Sequence, residues 1–286
     1  MDTNQQTNTL NPPSTAIEAH PARETPQGHQ WHEAGDAWGR RARDWACLFE
    51  HYASDVILAA FAHLGIGPGT SLLDIACGSG LAVRQADTSG ARAAGIDAAG
   101  PLIDIARART PDADLRVGDM FSLPWPDESF DAVTSINGIW GGCEQALAEA
   151  HRVLRPGGSI AISFWGDGHL DLRPCFKAFA ANSPASHVDG MRRTNAIARP
   201  GVAENMLGAV GFEVLERDSR VSTLEWPDQE TAWRALASVG PAVPALECVG
   251  ADALRPQVLE AIATLRDDNG IYRFRNDQQF VVARKG

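Results

Sequence analysis

The chain lacks any apolar run near the roughly 18 residues that cross a bilayer, and its N-terminus has no apolar signal-peptide core. It is short of positive charge: 25 Lys and Arg face 36 Asp and Glu, a net charge of −11 that argues against a nucleic-acid backbone as partner. Its five cysteines (Cys47, Cys77, Cys143, Cys175, Cys248) are odd in number and never spaced C-x-x-C. That excludes a disulfide framework and a zinc site, and fits reduced thiols. No other His, Cys or carboxylate spacing resembles a metal-ligand set. A soluble, cytoplasmic protein with neither nucleic acid nor membrane span is expected. With 286 residues and 44% hydrophobic content, it is long enough for one large domain, or for a domain with a cap.

What the chain does have is concentrated between Thr70 and Gly80. The apolar run Leu72–Ile75 stops at two glycines, Gly78 and Gly80, and a helix-compatible stretch, Leu81–Ala86, follows. This reads as buried strand, tight turn and helix start. Glycine lets a ligand approach the backbone closely, and the helix start offers unpaired N–H groups. A dinucleotide would want G-x-G-x-x-G with its pyrophosphate on the helix end. Here the third position is Val83, and Asp74 lies inside the strand. An acid there repels a pyrophosphate and suits a cationic or amino-bearing ligand.

At these residues the stretch resembles the first motif of class I S-adenosylmethionine-dependent methyltransferases, an acid followed by x-G-x-G. The resemblance implies that Asp74, Ala76, Gly78 and Gly80 contact the cofactor, with the acid acting on its ammonium directly or through water. It also places Asp97, at the end of the strand Ala91–Ile96, on the ribose diol, with Ala98 beside it. After the strand Leu115–Val117, Asp119 falls on the adenine amino group and Met120 against the ring. The segment Leu123–Asp131 is similar to the family's linker into strand four, Ala132–Ile136, with Asn137 at its carboxyl end by the cofactor. Glu149 to Gly158 is similar to the E-x-x-R-V-L-x-P-G-G block, with His151 in a variable slot as a surface or structural residue. Strand five is expected over Ile160–Trp165.

Five alternations of strand and helix between residues 70 and 165 mean a parallel sheet with helices on both faces. The fold expected is α/β, a doubly wound Rossmann-like seven-stranded sheet with helical cap insertions at 167–200 and 228–268. The resemblance makes its last strand antiparallel, inserted between strands five and six. The methyltransferase domain would span 67–286, behind an N-terminal helical lid at 29–66 and a disordered tail at 1–28, whose composition cannot offset ordering.

Within the lid, Trp31, Trp38, Trp45 and Tyr52 recur every seven residues, which puts them on one helix face, safest from Trp38 onward. They form either a packing stripe or an aromatic cover over a sulfonium. Arg41 shares the face of Trp38 and Trp45, as a ligand-carboxylate partner or a surface arginine. Methyl transfer needs position and a water-poor site, and a phenol or alcohol acceptor also needs a base. The loop after strand five offers His169 first and Asp167 second, the histidine being otherwise a surface residue. Trp140 and Trp165 are expected to line the acceptor pocket, and Glu144 to complement a helix dipole.

The function this implies is transfer of a methyl group from S-adenosylmethionine to an O, N or C nucleophile of a small molecule. The resemblance is to quinone-biosynthesis and natural-product enzymes. The rivals are a dinucleotide-dependent oxidoreductase, a non-catalytic protein binding the same cofactor, and an aminopropyl transferase.

Overall fold

The structure, a computed structural model, describes residues 30–286. The tail expected over 1–28 lies outside the described residues. Strand β1 (Ser71–Ile75) is buried along its whole length. It pairs in parallel with β2 (Arg92–Asp97) on one side and β4 (Phe130–Ile136) on the other. A strand covered on both faces reads as an unbroken apolar run, which is what Leu72–Ile75 with one embedded acid shows. Beyond β2 lies β3 (Asp114–Val117), and beyond β4 lies β5 (Leu154–Leu170). The chain ends in β6 (Phe212–Trp226) and β7 (Tyr272–Lys285). The sheet order is β3-β2-β1-β4-β5-β7-β6, with β7 antiparallel to both neighbours.

The helices are α1 (Gln30–Gly39), α2 (Ala42–Asp44), α3 (Ser54–Leu64), α4 (Leu81–Thr88), α5 (Gly100–Arg109) and α6 (Glu144–Val153). Then come α7 (Arg173–Ala181), α8 (Ala185–Thr194), α9 (Val202–Ala209), α10 (Gln229–Leu236), α11 (Val243–Val249) and α12 (Ala251–Ala261). Local chemistry sets several of their ends. Gly65, at φ 64°, closes α3 in the left-handed conformation. Pro101 opens α5, where a missing N–H costs nothing. The Asp228 side chain accepts from Thr231 N at 2.7 Å and caps α10.

Two cores flank the sheet. One packs α3, α7, α10 and α12 around Phe49, Tyr52, Trp226, Tyr272 and Phe274. The other packs α6 and α9 with Trp125, Phe130 and Phe164. The cap segment at 167–200 is therefore divided: α7 joins the first core, and Ile197 and Ala198 join the second. The lid expected over 29–66 divides too, because α3 packs on β5, β6 and β7 as part of the sheet's own cover.

Strand five was expected to end at Trp165. It runs to Leu170 because β7 continues alongside, with Leu170 opposite Asn276 after a register shift. The N-terminal segment also departs from a single helix. It breaks at Arg40 and Arg41 and resumes as α2, a π turn (Trp45–Phe49) and a 3-10 turn (Glu50–Ala53). The break follows from docking. A side chain on Gly39 would meet the Pro101 ring at 3.2 Å, so α1 is held against the start of α5.

Candidate active site

The turn after β1 carries three residues in the left-handed region: Ala76 at φ 57°, Gly78 at φ 56° and Gly80 at φ 81°. For Ala76 that conformation is uncommon and costs energy. The strain is held by a close neighbour, since a Cβ on Gly138 would fall 2.4 Å from the Ala76 Cβ. Asn137, just before it, is also left-handed, at φ 56°. The ends of β1 and β4 thus meet as two strained loops in contact. Gly80 has a different reason to be glycine. A Cβ there would lie 2.8 Å from the Ala106 Cβ, so it sets how closely α4 approaches α5 rather than how closely a ligand approaches the turn.

Three carboxylates gather at this turn. Asp97 accepts from Gly78 N and Ala99 N, both at 2.8 Å. Glu50, from the 3-10 turn, is bound by the Ser79 hydroxyl and the Arg109 guanidinium, which also donates to the Ser79 and Ala46 carbonyls. Asp74 is 2% exposed and accepts from Thr134 Oγ1 at 2.7 Å. Burial raises all three carboxyls above their ordinary range. For Asp74 burial dominates and the Asp97 charge adds to it, against the Thr134 bond, so its pKa is pushed up to about 7.

Asp74, Glu50, Ala76, Gly78, Trp45 and Tyr52 surround a cavity of about 50 Å³. Sites for cofactor-sized ligands run to about 300–1,000 Å³. The N-terminal segment accounts for the difference. The Trp45 indole Nε1 lies 3.6 Å from where a Gly78 Cβ would stand. Trp45 also packs edge-on to Trp38 at 4.9 Å. Tyr52 stacks on Trp165 at 4.6 Å, and its hydroxyl accepts from Asn137 Nδ2 at 2.8 Å. Over the end of β2, a Cβ on Gly35 would lie 2.2 Å from the Ala98 carbonyl oxygen. The described conformation is therefore one in which the lid is seated.

The residues present fit S-adenosylmethionine at its charged end. Buried carboxylates beside a turn of left-handed residues suit an ammonium and a sulfonium. The dinucleotide alternative does not fit: the third-glycine position holds Val83, wholly buried against Ile103 and Leu115. Asp119, just past the end of β3, accepts from Phe121 N at 2.9 Å; burial raises its pKa, and that bond acts against the rise. Met120 is partly buried in the second core.

Several expected placements are not what the structure shows. Arg41 lines an outer bowl with Arg43, Asp104 and Arg109, because the helix breaks immediately before α2 and turns it away from the cavity. Trp38 wedges against the cap, where a Cβ on Gly240 would lie 2.5 Å from its ring, so it clamps rather than faces the turn. Trp140 packs on the second core, not with Trp165 on the first. His169 is 64% exposed in its side chain and pairs with Asp171 at 3.0 Å. Its backbone N–H and the Gly168 position are pinned on the Asp277 carboxylate. Asp167 is exposed; among the described residues its carboxylate accepts from Gln279 Nε2 and its carbonyl from Arg173. Neither lines the cavity, because β5 continues as a strand where a loop toward the crevice was expected. Glu50, Ser79 and Arg109 were not singled out from sequence; no motif marks them, and their meeting is tertiary.

Known proteins supply the remaining comparison. The family model described as a methyltransferase domain matches residues 73–162. The malonyl-acyl-carrier-protein O-methyltransferase of Methylococcus capsulatus is 33% identical over 208 residues, covering 69% of this chain and 71% of that protein. The demethylmenaquinone methyltransferase of Renibacterium salmoninarum is 29% identical over 62% of this chain and 68% of its own. Among solved structures, the cyclase SpnF superposes with a TM-score of 0.53 at 20% identity, covering 84% of each chain, which speaks to the fold alone. No helix among the described residues is long and apolar enough to cross a membrane. With the strand-to-helix turn, the sheet order and these relatives in agreement, the chain belongs to the class I S-adenosylmethionine-dependent methyltransferases.

Proposed function

We propose that Asp74 and the peptide groups of Ala76–Gly78 hold the amino-acid end of S-adenosylmethionine, that Asp97 and Ala98 face its ribose, and that Asp119 and Met120 face its adenine. The observation that carries this is the Asp74 carboxylate: buried, held by one hydroxyl, and lining a cavity beside a left-handed turn. Bound there, the cofactor supplies a methyl group on an electrophilic sulfonium. The chain supplies position and dryness. Trp45 and Tyr52 wall the space with aromatic faces, backed by Trp165 stacked on Tyr52, which favour a cation and exclude water.

The acceptor is a small molecule met on the Trp165 side. Two of the curated relatives are named for malonyl-acyl-carrier protein and for demethylmenaquinone. Tyr52 does not act as the base for such an acceptor at neutral pH, because burial drives its phenol pKa up. Trp45, Glu50 and Tyr52 share the cavity of about 50 Å³ with Asp74, so seating the amino-acid end calls for the segment Trp45–Ala53 that carries them to shift.

Calorimetric titration with S-adenosylhomocysteine and separately with NADH tests the reading. Heat is expected from the first and none from the second. The reverse result would remove the methyltransferase assignment of this turn.

A further inference from the structure

On β6 and β7 the residues facing the first core alternate down the hairpin, and most are large and apolar: Leu224 and Trp226 on one strand, Tyr272, Phe274 and Phe280 on the other. Three polar residues interrupt that row. Asn276 and Gln278 are 0% exposed, and Ser222 is 1% exposed. Ser222 stands opposite Asn276 in the ladder, and Gln278 is two residues along on the same face.

Each holds buried atoms without a hydrogen-bond partner among the described residues: Gln278 Nε2 and Oε1, Asn276 Nδ2 and Ser222 Oγ. The Asn276 amide orientation is fixed, because its oxygen accepts from Leu172 N at 3.1 Å and so must be the oxygen. Its NH2 then points elsewhere with nothing to bond. Leu172 leads into α7, so the same amide that seats the cap leaves its donors free beneath it. A buried polar group without a partner is costly, and natural structures rarely tolerate several together.

The surroundings say where these groups sit. Gln278 is the register partner of Trp165 on β5. Trp165 stacks on Tyr52, and Tyr52 is bonded to Asn137 at the end of β4. The orphaned amides are thus the next residues along the wall that carries the aromatic cover of the candidate active site. Their chemistry selects the ligand group. The two NH2 groups carry more donor hydrogens than there are free acceptors, Gln278 Oε1 and the Ser222 hydroxyl oxygen, which also donates. None of the three is charged. The charged neighbour on this face, Arg220, already donates to Asp218 and to the Ser219 carbonyl. A neutral acceptor of hydrogen bonds is what this set completes, and the Trp165 ring beside it favours a flat, unsaturated molecule.

Building on the methyl-transfer reading above, we propose that Gln278, Asn276 and Ser222 form the polar pole of the acceptor pocket and bind a carbonyl oxygen of a planar, largely apolar methyl acceptor. The carbonyl relieves the unpaired amides, so its binding also steadies the α7 cap over the acceptor.

The test uses an isosteric pair of probes, acetylnaphthalene and isopropenylnaphthalene, which differ by a carbonyl oxygen against a methylene group. Affinity for the full chain saturated with S-adenosylhomocysteine is read by saturation-transfer NMR and equilibrium dialysis. The ketone is expected to bind about tenfold more tightly, the size of a hydrogen bond to an otherwise unpaired buried group. Gln278→Met, close in volume, is expected to bring the two probes to equal affinity while leaving S-adenosylhomocysteine affinity unchanged. Ser222→Ala, a smaller change that keeps the fold should Gln278→Met fail to express, is expected to reduce the preference by a few-fold. Equal affinity for the two probes in the unaltered protein would overturn the proposal, as would a preference that survives both substitutions. If the three amide and hydroxyl groups hold only water, the probes will not compete for them and the preference will be absent. Failure of S-adenosylhomocysteine to bind at all would instead strike the methyl-transfer reading, so the two failures are distinguishable.

Discussion

Asn137 donates from Nδ2 to the Tyr52 hydroxyl at 2.8 Å, across 85 residues of sequence, and so ties the N-terminal lid to the loop after β4. Asn137 is itself left-handed, a conformation that asparagine tolerates better than most residues. Tyr52 is 5% exposed, so loss of its hydroxyl leaves the Asn137 amide without that partner. Tyr52→Phe is expected to cost about 1–2 kcal/mol in denaturant unfolding and to speed S-adenosylhomocysteine release. Stopped-flow dissociation unchanged from the parent would show that this bond does not hold the lid.

Asp74 gives the site a pH response. Its folded pKa, about 7, lies above the ordinary 3.8, so between those values the folded chain holds a proton that the unfolded chain has released. Its contribution to stability is therefore fully present below about pH 4 and is lost as pH rises through about 7. Cofactor binding runs the other way, because an ammonium and a sulfonium want the ionised carboxylate. Affinity for S-adenosylmethionine is expected to rise by up to about tenfold per pH unit below neutrality and to level off above it. Asp74→Asn keeps an acceptor for Thr134 Oγ1 and should flatten this profile at a weak affinity. Calorimetry from pH 5.5 to 8.5 (about half a unit per step) checks it; an unchanged slope in the variant would assign the titration to another group.

Gly35 is glycine because of what lies beneath it. A methyl group there would stand 2.2 Å from the Ala98 carbonyl oxygen, which is backbone and cannot rotate away. Gly35→Ala is expected to lift α1, with a penalty of about 1–3 kcal/mol confined to the lid. Hydrogen exchange should quicken across Gln30–Ala53 and stay the same in β1 and β4. Uniform protection in the variant would mean that α1 does not rest on this contact.

His169 should be dispensable. Its side chain is exposed and, among the described residues, pairs with Asp171 alone. His169→Ala is expected to leave stability within about 0.5 kcal/mol and turnover unaltered. A large loss of turnover at constant cofactor affinity would bring the histidine back into the chemistry.

The order of strands and helices was legible because each strand announces itself by an apolar run and each turn by glycine or proline. Asp74 stood out because an acid inside an apolar strand run is out of place, whereas Asp97 was picked out by the resemblance and by its position past Gly80. The break at Arg40 was legible only in part: Gly35 and Gly39 read as weak points, yet the helix reads as safest from Trp38 onward, and only the Pro101 ring against Gly39 locates the interruption. The reach of β5 was hidden in the same way. Trp165-Gly-Asp-Gly looks like a loop, while β7 holds it extended through Asp277, which accepts from His169 N at 2.7 Å, and through the pairing of Leu170 with Asn276. Gln278 and Asn276 gave no signal, because a glutamine in a strand looks solvent-facing until its register is fixed.

The β6–β7 hairpin closes with Trp226 opposite Tyr272, and everything from 227 to 271, including α10, α11 and α12, hangs from that closed end. Both rings are almost wholly buried, and α10 and α12 share the core that covers them, so the excursion seals the stem from which it hangs. Lengthening such an excursion raises the entropy cost only slowly. Length can therefore be added where the excursion is exposed, whereas the faces of α10 and α12 turned to Trp226 and Tyr272 must keep their apolar side chains.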